Sequence, residues 1–253
     1  MVYSTIRIYR FSVRQVQSDA FIAMSCTIDR ARILVLGDSG VGKTSLVHLI
    51  GHGKPLSQIS YTVGAEVEVK LHEYREGTAA QKTYWIELWD VGGSHSHRNC
   101  RHVFYNNFHG IILVHDLANR KSQQNLEKWL QEVTEREYGN GKQRSDGLWD
   151  DNAPRVEVIP DVNLPLLVIG TKQDLADDRD SLPRHQRRSY IAEEYGTEEI
   201  HLKCTDEKSL MPGSSASNKL SRFFDKVIEK QFYKRDKSGS FGSTPGQERR
   251  RLV

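Results

Sequence analysis

The sequence predicts an α/β fold: a mostly parallel, twisted sheet with helices on both faces. Short continuous apolar runs at 31–36, 110–115 and 165–170 read as strands covered on both sides. Stretches with helical spacing alternate with them, as strand–helix–strand units require. The first run also passes directly into a glycine-rich turn, Gly37 to Gly42, and then a helix with Leu46, Leu49 and Ile50 on one face.

The other elements follow in chain order. Segment 65–71 alternates Val67, Val69 and Leu71 against Glu66, Glu68 and Lys70, and 83–90 alternates Tyr84, Ile86 and Leu88 against Trp85, Glu87 and Trp89. A polar turn at Glu76-Gly77 joins the two into a hairpin, with the apolar row of each strand expected on the core side. A helix is expected to start near Ser122 as its cap and to bury Leu126, Trp129, Leu130 and Val133. Residues 138–163 lose periodicity among glycines, prolines and charges, and are expected to form a mobile insertion. A helix around 183–195, a short strand at 200–204 and an amphipathic helix carrying Leu220, Phe223, Phe224, Val227 and Ile228 complete the pattern.

The 253 residues, 37% hydrophobic and 27% charged, suffice for one core with appendages. The expected division is an N-terminal extension at 1–24, a domain at 25–235 and a basic, disordered tail at 236–253. No run of about eighteen apolar residues occurs, which excludes a membrane-spanning helix. The cysteines at Cys26, Cys100 and Cys204 are too far apart and odd in number for a disulfide framework, so a cytoplasmic location is expected. The net charge of +3 comes from the ends, and the mildly acidic body argues against a nucleic-acid-binding face.

Gly37-Asp38-Ser39-Gly40-Val41-Gly42-Lys43-Thr44 fits the spacing G-x-x-x-x-G-K-[ST] between a strand and a helix. Its glycines let successive backbone N–H groups turn toward oxyanions, and the helix N-terminus adds its positive dipole end. Ser39, Gly40, Val41, Gly42, Lys43, Thr44 and Ser45 are therefore the expected phosphate contacts. Lys43 would reach the β- and γ-phosphates, and the Thr44 hydroxyl would ligate Mg²⁺. Nucleotide binding follows from this loop.

Thr171-Lys172-Gln173-Asp174 follows a later strand at the carboxyl edge of the sheet, where ligands of such folds lie. With this second motif the chain resembles a small GTPase of the Ras superfamily, over about residues 28–235. The resemblance implies a P-loop GTPase fold, GTP/GDP and Mg²⁺ as ligands, and guanine recognition by Asp174 beside Lys172 and Gln173. It also implies that Thr62 and Asp90 join Thr44 at the metal, that Lys43, Thr62 and Gly93 serve the γ-phosphate, and that Cys204-Thr205 forms the second base-contacting loop. The phosphate loop reads as Rab-like. The phrase Trp89-Asp90-Val91-Gly92-Gly93, the long hairpin, the C-terminal helix and the absence of a lipidation cysteine are similar to the Rab-like 3 branch. That likeness implies a homodimer without a lipid anchor that acts on the prenylation and signalling of other small GTPases, or on their prenylation chaperone.

The chain departs from the family pattern in places. Ser94 stands where a glutamine orients the attacking water, so slow hydrolysis is expected. Thr171 replaces an asparagine, Thr205-Asp206 replaces an alanine-lysine pair, and no aromatic residue occurs between Gly51 and Ser60; each change predicts weaker nucleotide retention. The leading function is a guanine-nucleotide switch or scaffold. The alternatives are a slow but genuine GTP-hydrolysing enzyme and a pseudo-GTPase interaction module.

Other signals read as structural. His95, His97, Cys100 and His102 have zinc-ligand chemistry, but they follow Gly93 in a segment that must move, so a solvated loop is expected. Trp129 is expected in the core, Cys204 as a small buried residue, and Arg249, Arg250 and Arg251 in a solvated tail.

Overall fold

A computed structural model describes residues 28–137, 164–177 and 188–233. The expected extension, the 138–163 insertion, the basic tail and the first part of the 183–195 helix lie outside the described residues.

The phosphate loop gains its position from the sheet. Strand β1 (Arg30–Leu36) lies at its centre, pairing in parallel with β3 (Lys82–Val91) on one side and β4 (Gly110–Asp116) on the other. β4 continues in parallel to β5 (Leu166–Thr171) and β5 to β6 (Glu198–His201), while β2 (Ala65–Tyr74) closes the opposite edge antiparallel to β3. The order is β2-β3-β1-β4-β5-β6, a mostly parallel sheet of six strands as the apolar runs predict.

Because side chains alternate along a strand, the apolar runs feed two separate layers. On one face Ile33, Val35, Ile112 and Val114 pack with Leu46, Leu49 and Ile50 of α1 (Lys43–His52) and with Phe223, Phe224 and Val227. On the other, Leu34, Leu36, Ile111 and Leu113 pack with Leu126, Trp129, Leu130 and Val133. Each fully buried aliphatic side chain contributes roughly 1.5–3 kcal/mol. A change such as Ile112→Asp, which leaves a charge in this layer, would break the fold.

Between β3 and β4 the chain makes short helical turns, the central one being α2 (Arg98–Arg101). After β4 come α3 (Arg120–Gln124) and α4 (Leu126–Glu137). After β5 come α5 (Gln173–Asp177) and α6 (Tyr190–Glu194), and after β6 comes α7 (Ser215–Ile228), which continues as a wider turn to Tyr233.

Three expectations need correction. Ser122 is not a cap: Asn119 is, its side chain accepting from the Lys121 N–H, while Ser122 is buried inside α3 with its hydroxyl donating to Asn119 O at 2.7 Å. The short strand expected over 200–204 runs instead over Glu198–His201, which leaves Cys204 in the turn after it; of the helix expected over 183–195, the described part is Tyr190–Glu194, capped by Ser189. In β2 the apolar row is not the more deeply buried one. Leu71 is 43% exposed, whereas His72 and Tyr74 are buried. The pairing His72↔Tyr84 and Lys70↔Ile86 puts the polar row on the face covered by helices. That row is satisfied there: His72 Nε2 lies 2.8 Å from Asp225 Oδ1, the Tyr74 hydroxyl donates to Glu229 at 3.0 Å, and Lys70 Nζ donates to the Ile50 carbonyl at 3.1 Å. Partnered polar groups tolerate burial, so alternation alone misassigned the face.

Candidate functional site

The loop between β1 and α1 has the backbone its sequence requires. Gly40 and Gly42 take φ of 78° and 96°, which L side chains rarely adopt, and Gly42 caps α1 with no side-chain hydrogen bond. The N–H groups that begin α1 therefore keep no side-chain cap, which suits an oxyanion. Val41 is buried, Ser39 and Gly40 are exposed, and Ser45 is half-buried.

Lys43 starts α1 and curls back over the loop, its Nζ donating to the carbonyls of Gly37 and Asp38 at 2.8 and 2.9 Å. Burial lowers its pKa, opposed by the carboxylates of Asp90 and Asp38. A phosphate oxyanion would give this desolvated cation a better partner than two neutral carbonyls.

Thr44, Thr62 and Asp90 converge beside it, although they come from α1, the segment before β2, and β3. Thr44 Oγ1 donates to Asp90 Oδ2 at 2.6 Å, Thr62 Oγ1 lies 3.3 Å from the same oxygen, and the two hydroxyls are 3.0 Å apart. Asp90 is 1% exposed, and burial raises its pKa despite Lys43 and the two threonines. Its Oδ1 is buried without a hydrogen-bond partner among the described residues. A set of hydroxyl and carboxylate oxygens with one carboxylate atom left over fits Mg²⁺.

Gly93 closes the group from the far side. A Cβ there would lie 2.5 Å from Ser39 N and 2.6 Å from Gly37 O, so only glycine allows this segment to rest on the loop. Next along the chain, the Ser94 hydroxyl is 2.7 Å from that of Ser96.

The second motif meets the first. Lys172, at φ 55°, sends Nζ to Gly40 O and to Asp116 Oδ2, both at 2.8 Å. The Thr171 hydroxyl bonds the Val41 carbonyl, so the shorter side chain still ties this strand end to the phosphate loop. Gln173 opens α5 and its N–H donates to Leu202 O at 3.2 Å, while Asp174 is half-buried. Cys204 is buried beside them; burial first, and then Asp174, push its thiol up to about 12. It is an inert small residue in the turn after β6. Thr205 is exposed next to it, and Asp206 caps the following turn by accepting from the Lys208 N–H.

Sequence reasoning missed the residues that hold the loop from behind. Asp38 accepts from Trp129 Nε1 and from Asn125 Nδ2, each at 2.8 Å. Trp129 is a core residue as expected, but its polar edge reaches the loop. Arg101 stacks over its ring at 4.1 Å and pairs with Glu132 at 2.9 Å. The signal available was an indole N–H in a buried position, which needs an acceptor. The residues His95, His97, Cys100 and His102 occupy the helical turns after Gly93, and His102 Nδ1 is 2.8 Å from Asn99 O.

The comparisons agree with this geometry. Residues 32–143 match the family model described as "Ras of Complex, Roc, domain of DAPkinase". The chain is 49% identical to Rab-like protein 3 of Mus musculus over 218 residues, covering 83% of this chain and 89% of that protein. It is 50% identical to Rab-like protein 3 of Xenopus tropicalis over 211 residues, covering 81% and 88%. Small GTPase LIP1 of Arabidopsis thaliana is 36% identical over 156 residues, 58% of this chain and 42% of that protein.

Proposed function

As the chain belongs to the Rab-like small GTPases, we propose that it is a guanine-nucleotide switch or scaffold that uses Mg²⁺ and hydrolyses GTP slowly. The observation that carries the reading is the convergence of Thr44, Thr62 and Asp90 beside Lys43, with Asp90 Oδ1 left without a partner. Thr44, Thr62 and Asp90 would hold Mg²⁺, which would offset the charge of the phosphates. Lys43 would leave the carbonyls of Gly37 and Asp38 for the β- and γ-phosphates, and the Gly93 N–H would contact the γ-phosphate. Asp174 would accept from the guanine N1–H and 2-amino group, with Lys172, Gln173, Cys204 and Thr205 completing the base pocket.

Slow hydrolysis rests on Ser94. Its short side chain reaches only as far as Ser96 Oγ and lacks the length to orient water against a γ-phosphate. The family resemblance supports a cytoplasmic homodimer acting on the prenylation and signalling of other small GTPases. No described helix is long and apolar enough to cross a membrane.

The test is to denature the purified protein, identify any released nucleotide by chromatography, and then titrate GTP, GDP and ATP with Mg²⁺. Guanine nucleotide released, or bound in clear preference to ATP, is the expected result. Neither release nor binding would leave the interaction-module reading in its place.

A further inference from the structure

Away from the phosphate loop, one group of side chains among the described residues brings metal-ligating atoms together. His48 and His52 on α1 and Glu68 on β2 each offer one atom within 4.8 Å of the other two. Histidines four residues apart lie one above the other on a helix. Glu68 reaches them because the polar row of β2 faces the helices. Its Oε2 is 3.1 Å from His52 Nε2, and the two imidazole rings are 4.3 Å apart between centroids.

A tie between helix and strand needs one of these imidazoles, and the His52–Glu68 contact already makes it. The second ring adds another lone pair at the same point, while two protonated rings so close would repel.

We propose that His48, His52 and Glu68 bind one Zn²⁺ ion, with the fourth coordination position left to water. Two imidazole nitrogens and one carboxylate oxygen are a zinc donor set, and the i, i+4 spacing on a helix is that of known zinc-binding helices. Zinc bonds of about 2.0–2.1 Å in a tetrahedron place ligand atoms about 3.3 Å apart. The 3.1 Å separation already fits, and side-chain rotation within the 4.8 Å group closes the rest. Mg²⁺ and Ca²⁺ seek cages of oxygen, whereas imidazole favours the late first-row ions. The nearby cation Lys70 is held at the Ile50 carbonyl, 3.1 Å away.

The placement gives the ion a consequence. Helix α1 starts with Lys43 and Thr44, and β2 leaves the segment that holds Thr62. Zinc would fasten the far end of that helix to that strand, stiffening the frame around the nucleotide site without touching it.

The experiment uses the full chain, stripped of metal by a chelator and returned to Mg²⁺ buffer, titrated with Zn²⁺ alone by calorimetry and followed by thermal melting. One Zn²⁺ per chain and a rise in melting temperature are expected. Both should be lost in His48→Gln, and affinity should fall at least about tenfold in Glu68→Gln, since even residues behind the ligands cost that much. If His48→Gln does not fold, Glu68→Gln decides, because its side chain is partly exposed. The double variant His95→Asn with Cys100→Ser should bind as the parent does. Binding that survives Glu68→Gln undiminished, or that disappears in the double variant, overturns the proposal. So does the absence of any melting shift with Zn²⁺ in the parent.

Discussion

Trp129 Nε1 donates to Asp38 Oδ1 at 2.8 Å, so a tryptophan in the core layer of α4 holds a carboxylate of the phosphate loop. Asn125 bonds the other oxygen of the same carboxylate, and Arg101, itself paired with Glu132, covers the indole face. The loop is thus anchored to the helix layer on one side, while Lys172 and Thr171 anchor it on the other. Trp129→Phe keeps an aromatic ring in the layer, though a smaller one, and deletes the donor. It should lower stability by about 1.5–3 kcal/mol, the range for a hydrogen bond to a charged group. It should also speed nucleotide release. Urea melts and the release rate of a fluorescent nucleotide check both; an unchanged release rate would separate the anchor from the site.

Lys43→Ala should abolish nucleotide binding while the nucleotide-free protein melts no lower than the parent. Burial costs the ammonium more than its two carbonyl contacts and the attraction of Asp90 and Asp38 return, as its lowered pKa records. Fluorescent-GDP titration and thermal melting on the same samples make the check.

Asp174→Asn should shift preference from guanine toward xanthine, because the amide donates where the carboxylate only accepts. Competition among GTP, XTP and ATP reads this directly, and equal GTP and ATP affinity in the parent would remove Asp174 from the base pocket.

Single-turnover hydrolysis in the parent should fall below the roughly 3–5 × 10⁻⁴ s⁻¹ of an unassisted Ras-type enzyme, and Ser94→Gln should raise it. Nucleotide release should be faster than hydrolysis, given Thr205-Asp206 in the second base loop and the absence of a stacking aromatic from 51–60. Hydrolysis outrunning release in the parent would contradict the switch being reset by release.

Glu199 sets an acid limit on the fold. Burial alone would raise its pKa, but hydrogen bonds with His115, His201 and the Ser189 N–H outweigh it and hold the carboxyl well below its ordinary 4.5. With the folded value depressed, the stabilisation is complete above about pH 4.5 and is lost as pH falls below it. Glu199→Gln should therefore cost about 1–3 kcal/mol at neutral pH, with the difference from the parent shrinking in acid. Denaturant melts at pH 7 and pH 3.5 test the sign; a constant difference would show that ionisation of Glu199 is not the cause.

The sequence by itself determined the sheet, the phosphate loop and the second motif, because each depends on local requirements. A strand covered on both faces needs a continuous apolar run, a loop at positive φ needs glycine, and Lys43 and Thr44 must follow that loop to sit at a helix start. Tertiary structure alone decided the matters that depend on which surface lies opposite. The polar row of β2 turned inward because α1 and α7 supply partners for Lys70, His72 and Tyr74, and partners are not encoded in alternation. Ser122 became a buried hydrogen-bonding residue because Asn119 cuts the helix three residues earlier. The Asp38–Trp129 anchor and the meeting of His48, His52 and Glu68 join residues from separate elements. Their chemistry exists only where the sheet brings them within a few ångströms.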